Sequence, residues 1–332
     1  TSATLATTNT SAICSITTGT NHNLSVGDIV LLDTVTLPVG TGYVDADFEN
    51  KLFQVTSITS ATVFTITQST AATATVGTGG SLSVKPYEQV GPAEQSYGYG
   101  WGIDTWSSGK WGEAASASDV SLEPGLWSLS NFGQVLVATI ANGKTFTWNA
   151  GDAARLTTRA STATSGFETT NNPTATRITL VSPTTRHLIH LGTETTIGDP
   201  TTQDDMFIRF SDQEDINDYV PTAINSAGSQ RLQDGTRIIG ALKAKESILV
   251  WTDNALYTMK FIGAPFTFGF EQVGTNCGLI GKNAAIEIDG MAFWMSSNGF
   301  FMFDGTVKSL PCSVEDYVYD QADTTKGQQV YA

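Results

Sequence analysis

Apolar and polar residues alternate with a period of two along most of this chain, in short runs separated by Gly, Asn or Asp. In GMAFWMSSNGFFMFDG (290–305), Met291, Phe293 and Met295 fall on one face of an extended strand, and Ala292 and Trp294 on the other. Asn298-Gly299 is a primed-turn signal, because both central residues of such a turn take positive φ. Phe300 to Phe303 then run back. A hairpin apolar on both faces has to be sandwiched between neighbours. A repeat is therefore expected.

The repeat is present upstream. NFGQVLVATIANGKTFTWNAG (131–151) carries an apolar strand, an Asn142-Gly143 turn and a return ending at Trp148. ESILVWTDNALYTMKFIG (246–263) turns at Asp253-Asn254, and RHLIHLGT with DDMFIRFSD spans 186–212 with a long loop at its tip. With Gln134, His187, Ser247 and Met291 as equivalent starts, the steps are 53, 60 and 44 residues, at or above the roughly 40–50 of a propeller blade. The pattern predicts an all-β fold: β-propeller blades over 86–332, four to five of them, incomplete as a ring within this chain. Residues 13–85 alternate more regularly and predict a separate small antiparallel β-barrel or sandwich of about five strands, an amino-terminal or inserted domain. Residues 1–12 read as a linker or a strand, and KPYEQVGPAEQSYGYGWG as a Pro/Gly-rich exit.

Composition supports the all-β reading and narrows function. Charged residues are 15% of the 332, while Thr, Ser, Ala and Gly are abundant. The net charge is −15 and no Lys/Arg cluster occurs, so a basic footprint for gripping nucleic acid is missing. An acidic wall still suits DNA that has to slide past without sticking. No apolar run reaches the ~18 residues of a membrane span. Cys14, Cys277 and Cys312 are widely spaced and read as isolated buried thiols, not a disulfide or zinc framework. The chain starts at Thr1 and ends with QQVYA inside a strand-like pattern, which suggests an internal piece of a longer protein.

Candidate chemistry is sparse. His187 and His190 fall on opposite faces of a strand and cannot share a metal. His22 lies in a loop without a Cys or His near it. Asp28, Asp33, Asp45 and Asp47 read as solvated turn residues instead of a Ca²⁺ cluster. SYGYGWG precedes no helix and makes a poor phosphate cradle. The acidic stretch SDQEDINDYVP brings Asp212, Glu214, Asp215 and Asp218 together. They are candidates for Ca²⁺ binding or for glycosidase carboxylates, against the plainer reading of a capped, solvated loop. The turns read ANG, DNA and SNG, without the acidic residue two before glycine that marks propeller sialidases. Trp101, Trp106, Trp111 and Trp127 offer a sugar-stacking platform or, more ordinarily, inter-blade packing. No catalytic, cofactor or metal residue is assigned, and no cofactor is expected.

Several segments in order resemble the packaged-DNA stabilisation, or tail nozzle, proteins of short-tailed bacteriophages: INSAG, WTDNALYTM, GAPFTF, CGLI, and WMSSNGFFMFDG followed by VKSLPC. WGIDTW…WGEA and LWSLSNFGQVLVATIANGKTFTW extend the resemblance over most of 87–330. It implies a non-enzymatic virion structural protein of the phage tail, a ring usually of six copies below the portal and its adaptor. The ring would adjoin needle, spike or fibre proteins, and DNA would pass without sequence-specific contact. Six copies would total about −90 if every group stayed ionised, and that acidity is expected to face the channel. A host receptor- or carbohydrate-binding tail module is the alternative, and a glycan-cleaving enzyme using carboxylates of 204–218 the third.

Overall fold

A computed structural model describes residues 2–22, 24, 26–87, 125–152, 172–245, 247–322 and 324–332. The chain divides into two compact units, Thr1–Gln89 and Val90–Ala332.

The first unit is a closed antiparallel barrel of six strands: β1 (Ser2–Thr7), β2 (Ile13–Thr18), β3 (Ile29–Thr36), β4 (Lys51–Ser60), β5 (Val63–Thr67) and β6 (Val76–Tyr87). They pair in the order β1-β2-β5-β4-β3-β6, and β6 returns to β1. Leu5, Cys14, Ile16, Val30, Leu32, Phe64 and Ile66 fill the interior, and Phe48 enters from the 3₁₀ turn Asp45–Asp47. Each fully buried aliphatic side chain contributes about 1.5–3 kcal/mol. The structure decides one boundary that was left open and moves another. Residues 2–7 are the sixth strand, whose Ala3, Leu5 and Thr7 point inward, so little of 1–12 is a linker. Lys85-Pro86-Tyr87, expected as the exit, ends β6, where Pro86 is tolerated because it sits at the strand's end. Gly80 (φ +68) allows a register shift between β3 and β6; a Cβ there would stand 2.2 Å from the Thr36 carbonyl oxygen.

Among the described residues, the second unit contains four antiparallel sheets. The first is β7 (Trp127–Phe132), β8 (Val135–Ile140) and β9 (Thr145–Asn149). The second is β10 (Thr176–Val181), β11 (Leu188–Thr193), β12 (Phe207–Phe210) and β13 (Gly228–Arg231). The third is β14 (Ile238–Lys243), β15 (Ile248–Thr252), β16 (Ala255–Gly263) and β17 (Thr267–Thr275). The fourth is β18 (Ala285–Ile288), β19 (Met291–Ser296), β20 (Gly299–Phe303) and β21 (Val307–Ser309). The repeat starts read from the sequence fall at or one residue before β8, β11, β15 and β19, the second strand of each sheet. Among the described residues the arrangement is propeller-like and all-β, apart from one short helix (Glu315–Gln321) and 3₁₀ turns. Of QQVYA (328–332), expected to be strand-like, Gln328 and Gln329 end such a turn, and Tyr331 makes an isolated bridge to Asn283.

Seams between sheets form the core. Phe132 and Val137 of the first sheet meet Val181 and Leu188 of the second, with Tyr219. Ile178, Leu180, Ile189 and Phe210 meet Ile238, Val250, Tyr257 and Met259 of the third. Trp251 of the third meets Trp294 of the fourth edge-on, with ring centres 5.4 Å apart, while Trp294 Nε1 donates to the Cys277 carbonyl at 2.8 Å. β10, β11 and β15 are accordingly buried at every position.

The two outermost sheets differ from the sandwiched expectation. In the fourth, Ala292 and Trp294 are buried, but Met291, Phe293 and Met295 are half-buried and Ile288 is exposed. In the first, Trp127 and Leu129 are exposed. Among the described residues these flanks have no neighbouring sheet. The turn of the last hairpin also differs: Ser296 pairs with Gly299, so Ser297-Asn298 are central and neither takes positive φ, which falls instead to Gly299 (φ +142).

Candidate functional site

The acidic loop after β12 lies beside His187, the residue preceding β11. Asp212 Oδ1 accepts from the Ser226 amide (2.7 Å), the Ser226 hydroxyl (2.5 Å) and the Gln213 amide (2.8 Å). His187 Nε2 lies 2.9 Å from the same Ser226 Oγ, and its Nδ1 lies 2.7 Å from Thr185 Oγ1. Ser, His and Asp are thus joined in one chain of hydrogen bonds, and their order decides what the chain can do.

Ser226 has a single hydroxyl proton, and the short contact to a carboxylate takes it. His187 Nε2 must then be the protonated nitrogen, donating to Ser226 Oγ, while Nδ1 accepts from Thr185. The Gln213 amide donates to Ser226 Oγ as well, at 3.0 Å. Oγ therefore accepts two hydrogen bonds and donates one, which leaves no lone pair directed at a substrate. A hydrolytic triad places its carboxylate on the far nitrogen of the imidazole, where this site has a threonine. Burial lowers the His187 pKa against the opposing charge of Asp212, so the ring stays neutral. Burial works to raise Asp212, but the Ser226 hydroxyl, then the Ser226 and Gln213 amides, hold it below the usual carboxylate range. The site fastens the 212–226 loop onto β11.

The neighbouring carboxylates are engaged in the same way. Glu214 pairs with Arg186 at 3.1 Å on the exposed surface. Asp215 Oδ1 accepts from the Asn217 amide (2.8 Å), and Asp218 from the Val220 amide (3.1 Å) and the Asn225 side chain (2.8 Å). Asp204 pairs with Arg231 (2.7 Å) and Asp205 with Arg177 (3.3 Å). Among the described residues no group of three His, Cys, Asp or Glu is arranged to hold a metal ion.

His190 faces away from His187, donating to or accepting from the Tyr219 hydroxyl at 3.0 Å. Burial, then the charge of Arg209, push its pKa down to about 3. Arg209 pairs with His190 across β11 and β12 and donates to the Thr195 carbonyl at 2.8 Å. Buried Glu194 accepts from the Thr174, Ala175 and Gly198 amides at 2.7–2.8 Å. This second polar cluster is not foreseen from the sequence, because its members are brought together by strand register and not by spacing.

The remaining candidates are dispersed. His22 Nε2 donates to the Ser60 carbonyl (3.0 Å), since Nδ1 accepts from the Leu24 amide (2.9 Å). Asp33 pairs with Lys85 across β3 and β6, Asp45 accepts from the Leu37 amide, and Asp47 accepts from the Val44 amide of its own turn. Asp28 accepts from the Val55 amide through its backbone carbonyl. Cys14 and Cys277 are buried, Cys312 half-buried, and all three are free thiols. Burial raises the thiol pKa of Cys14 and Cys277. Trp127 is 41% exposed, whereas Trp101, Trp106 and Trp111 lie outside the described residues.

No family model and no curated protein matches the chain. Among solved structures it is similar to the endosialidase of phage phi92, at 14% identity and TM-score 0.28, covering 88% of this chain and 45% of that one. The extracellular domain of a hybrid two-component system protein from B. thetaiotaomicron aligns at 12% identity and TM-score 0.34, covering 59% and 23%. Hsv2 of Kluyvelomyces marxianus aligns at 9% and 0.28, covering 56% and 48%. The chain spans less than half of each of these proteins. TM-scores below 0.5 carry no argument, and the fold rests on the sheet topology itself.

Proposed function

We propose that the chain is a structural subunit of a phage tail, a nozzle or channel ring that extends the DNA path below the portal and adaptor and retains the packaged genome until ejection. The observation that carries this reading is the state of the one acidic cluster: each of its carboxylates is engaged in closing a local turn or an ion pair, and Ser226 Oγ is saturated. The order of segments resembling nozzle proteins adds the location. Rigid sheets packed flank on flank, with few free edges, suit a part that holds shape under load. Copies related head-to-tail close into a ring with one central channel. An acidic lumen repels phosphate and lets a duplex slide. Cryo-EM of the assembled protein tests this: six copies around a channel wide enough for duplex DNA, with an acidic wall, are expected. A trimer, or a neutral or basic lumen, would overturn it.

A further inference from the structure

Two loops of the sheet unit meet at one uncharged tip. Residues 220–226 follow the acidic run, and residues 261–267 form the end of the β16–β17 hairpin. Neither segment holds a Lys, Arg, Asp or Glu, in a chain of net charge −15. The Thr267 hydroxyl donates to the Ser226 carbonyl at 2.9 Å and joins the two. Large apolar side chains crowd the outside: Ile224 is 98% exposed, Phe266 73% and Ile262 58%, and Val220 and Phe261 are exposed as well. One exposed apolar residue is ordinary, but a contiguous group marks a contact surface. The base beneath it is fixed. Buried Phe268 packs edge-on against Phe210 and His187, with ring centres 4.9 and 5.1 Å away, and Phe261 lies 5.8 Å from Phe268. The Asp212–Ser226–His187 fastening therefore holds the tip in place, and little further ordering opposes binding.

What the tip fits follows from its hydrogen bonds. Asn225 Oδ1 accepts from the Thr222 amide, and Asn225 Nδ2 donates to the Val220 carbonyl, each at 2.8 Å. The Ile224 amide donates to Thr222 Oγ1 (3.4 Å) and the Phe268 amide to the Phe266 carbonyl (2.7 Å), while Gly263 pairs with Thr267. Exposed Pro221 and Pro265 have no amide proton to satisfy. A protein partner makes roughly one hydrogen bond per 100–200 Å² of interface, whereas these loops turn the named donors and acceptors on themselves. Hydrocarbon asks for none, and it admits backbone only where polar groups are satisfied internally. Charge narrows the choice of surface. Glu214, Asp215 and Asp218 precede the first loop and Lys260 the second, so an anionic surface is repelled.

We propose that this tip docks on a zwitterionic lipid bilayer, with Ile224, Ile262 and Phe266 entering the boundary between headgroups and acyl chains. The contact is shallow, about 5–10 Å deep, and is not a span. It goes beyond the tail reading, which does not require it.

Co-flotation of the full chain with phosphatidylcholine vesicles tests the proposal. The protein should float with them at low and high salt alike, and phosphatidylglycerol in the vesicles should weaken binding at low salt. Ile224→Ser and Phe266→Ser should each lower the partition coefficient about tenfold or more. Tm should stay unchanged, because both side chains are already in water in the free protein. Phe266→Trp provides a second readout: its added fluorescence should be quenched by phosphatidylcholine brominated along the acyl chains. No flotation with phosphatidylcholine, flotation kept when Ile224→Ser and Phe266→Ser are combined, or unquenched emission from Phe266→Trp would each overturn the assignment. Association of copies without lipid, lost in Phe266→Ser, would give the tip to a protein partner and overturn it equally.

Discussion

The barrel and the four-sheet unit use strands of similar length but solve burial differently. In the barrel each strand alternates: Leu5, Ile16 and Ile66 go in while Thr4, Ser15 and Thr65 stay out, because one face meets the core and the other meets water. Closure removes both edges, so the barrel is complete without a neighbour. In β11 and β15 every residue is buried, because each flank meets another sheet. The cost of that plan falls on the outermost sheets, where Trp127, Leu129 and Ile288 are left exposed. A closed barrel is finished by its own strands; a stack of sheets is finished only by what stands beside it.

The comparison can be broken at several places. Trp251→Ala empties the seam between the third and fourth sheets and should cost about 3–5 kcal/mol in the denaturant transition of that unit. The barrel should unfold as before. Ile16→Ala, inside the barrel, should cost about 2–5 kcal/mol and leave the sheet unit's transition in place, read by tryptophan fluorescence, since every tryptophan lies beyond residue 89. A single shared transition shifted by both variants would mean the units are not independent.

Acid should affect the sheet unit through its histidines. His190 is neutral when folded, with a pKa near 3, but takes up a proton below about 6.5 when unfolded. The unfolded state then binds more protons, so stability is lost as pH falls from about 6.5 towards 3. His187 acts in the same direction. His190→Gln should flatten that acid limb in a series of denaturation curves, and an unchanged slope would count against the buried neutral ring. The smallest effect belongs to the open flank: Leu129→Ala should change monomer stability by no more than about 0.5 kcal/mol. A larger loss, appearing only at concentrations where copies associate, would show that this flank is covered in the assembly.

Much of the fold was legible because period-two patterning and turn residues are local. The repeated hairpins located the second strand of every sheet, and the Asp253-Asn254 turn lies between β15 and β16 as read. The misreadings were also local in cause. Ser2–Thr7, rich in Thr and Ala, left linker and strand both open, and Ala3 and Leu5 suffice for a core strand once β2 and β6 flank it. Asn298-Gly299 looked like the turn because the dipeptide signal ignores register, and the pairing of Ser296 with Gly299 set the turn one residue earlier. The site was less legible. Asp212 stood out within an acidic run, but its partners Ser226 and His187 lie 14 and 25 residues away and are gathered only by sheet packing. Ser226 and Thr267, 41 residues apart, had no local signal at all.

The central claim is that the acidic loop is a fastening and the protein a building part. Asp212→Asn tests it most directly, with stability and cleavage of host polysaccharide measured on the same preparations. The account predicts that the variant loses about 1–3 kcal/mol in the sheet unit, while neither protein shortens polysaccharide. Cleavage by the unaltered protein that disappears in Asp212→Asn, with stability unchanged, would contradict it.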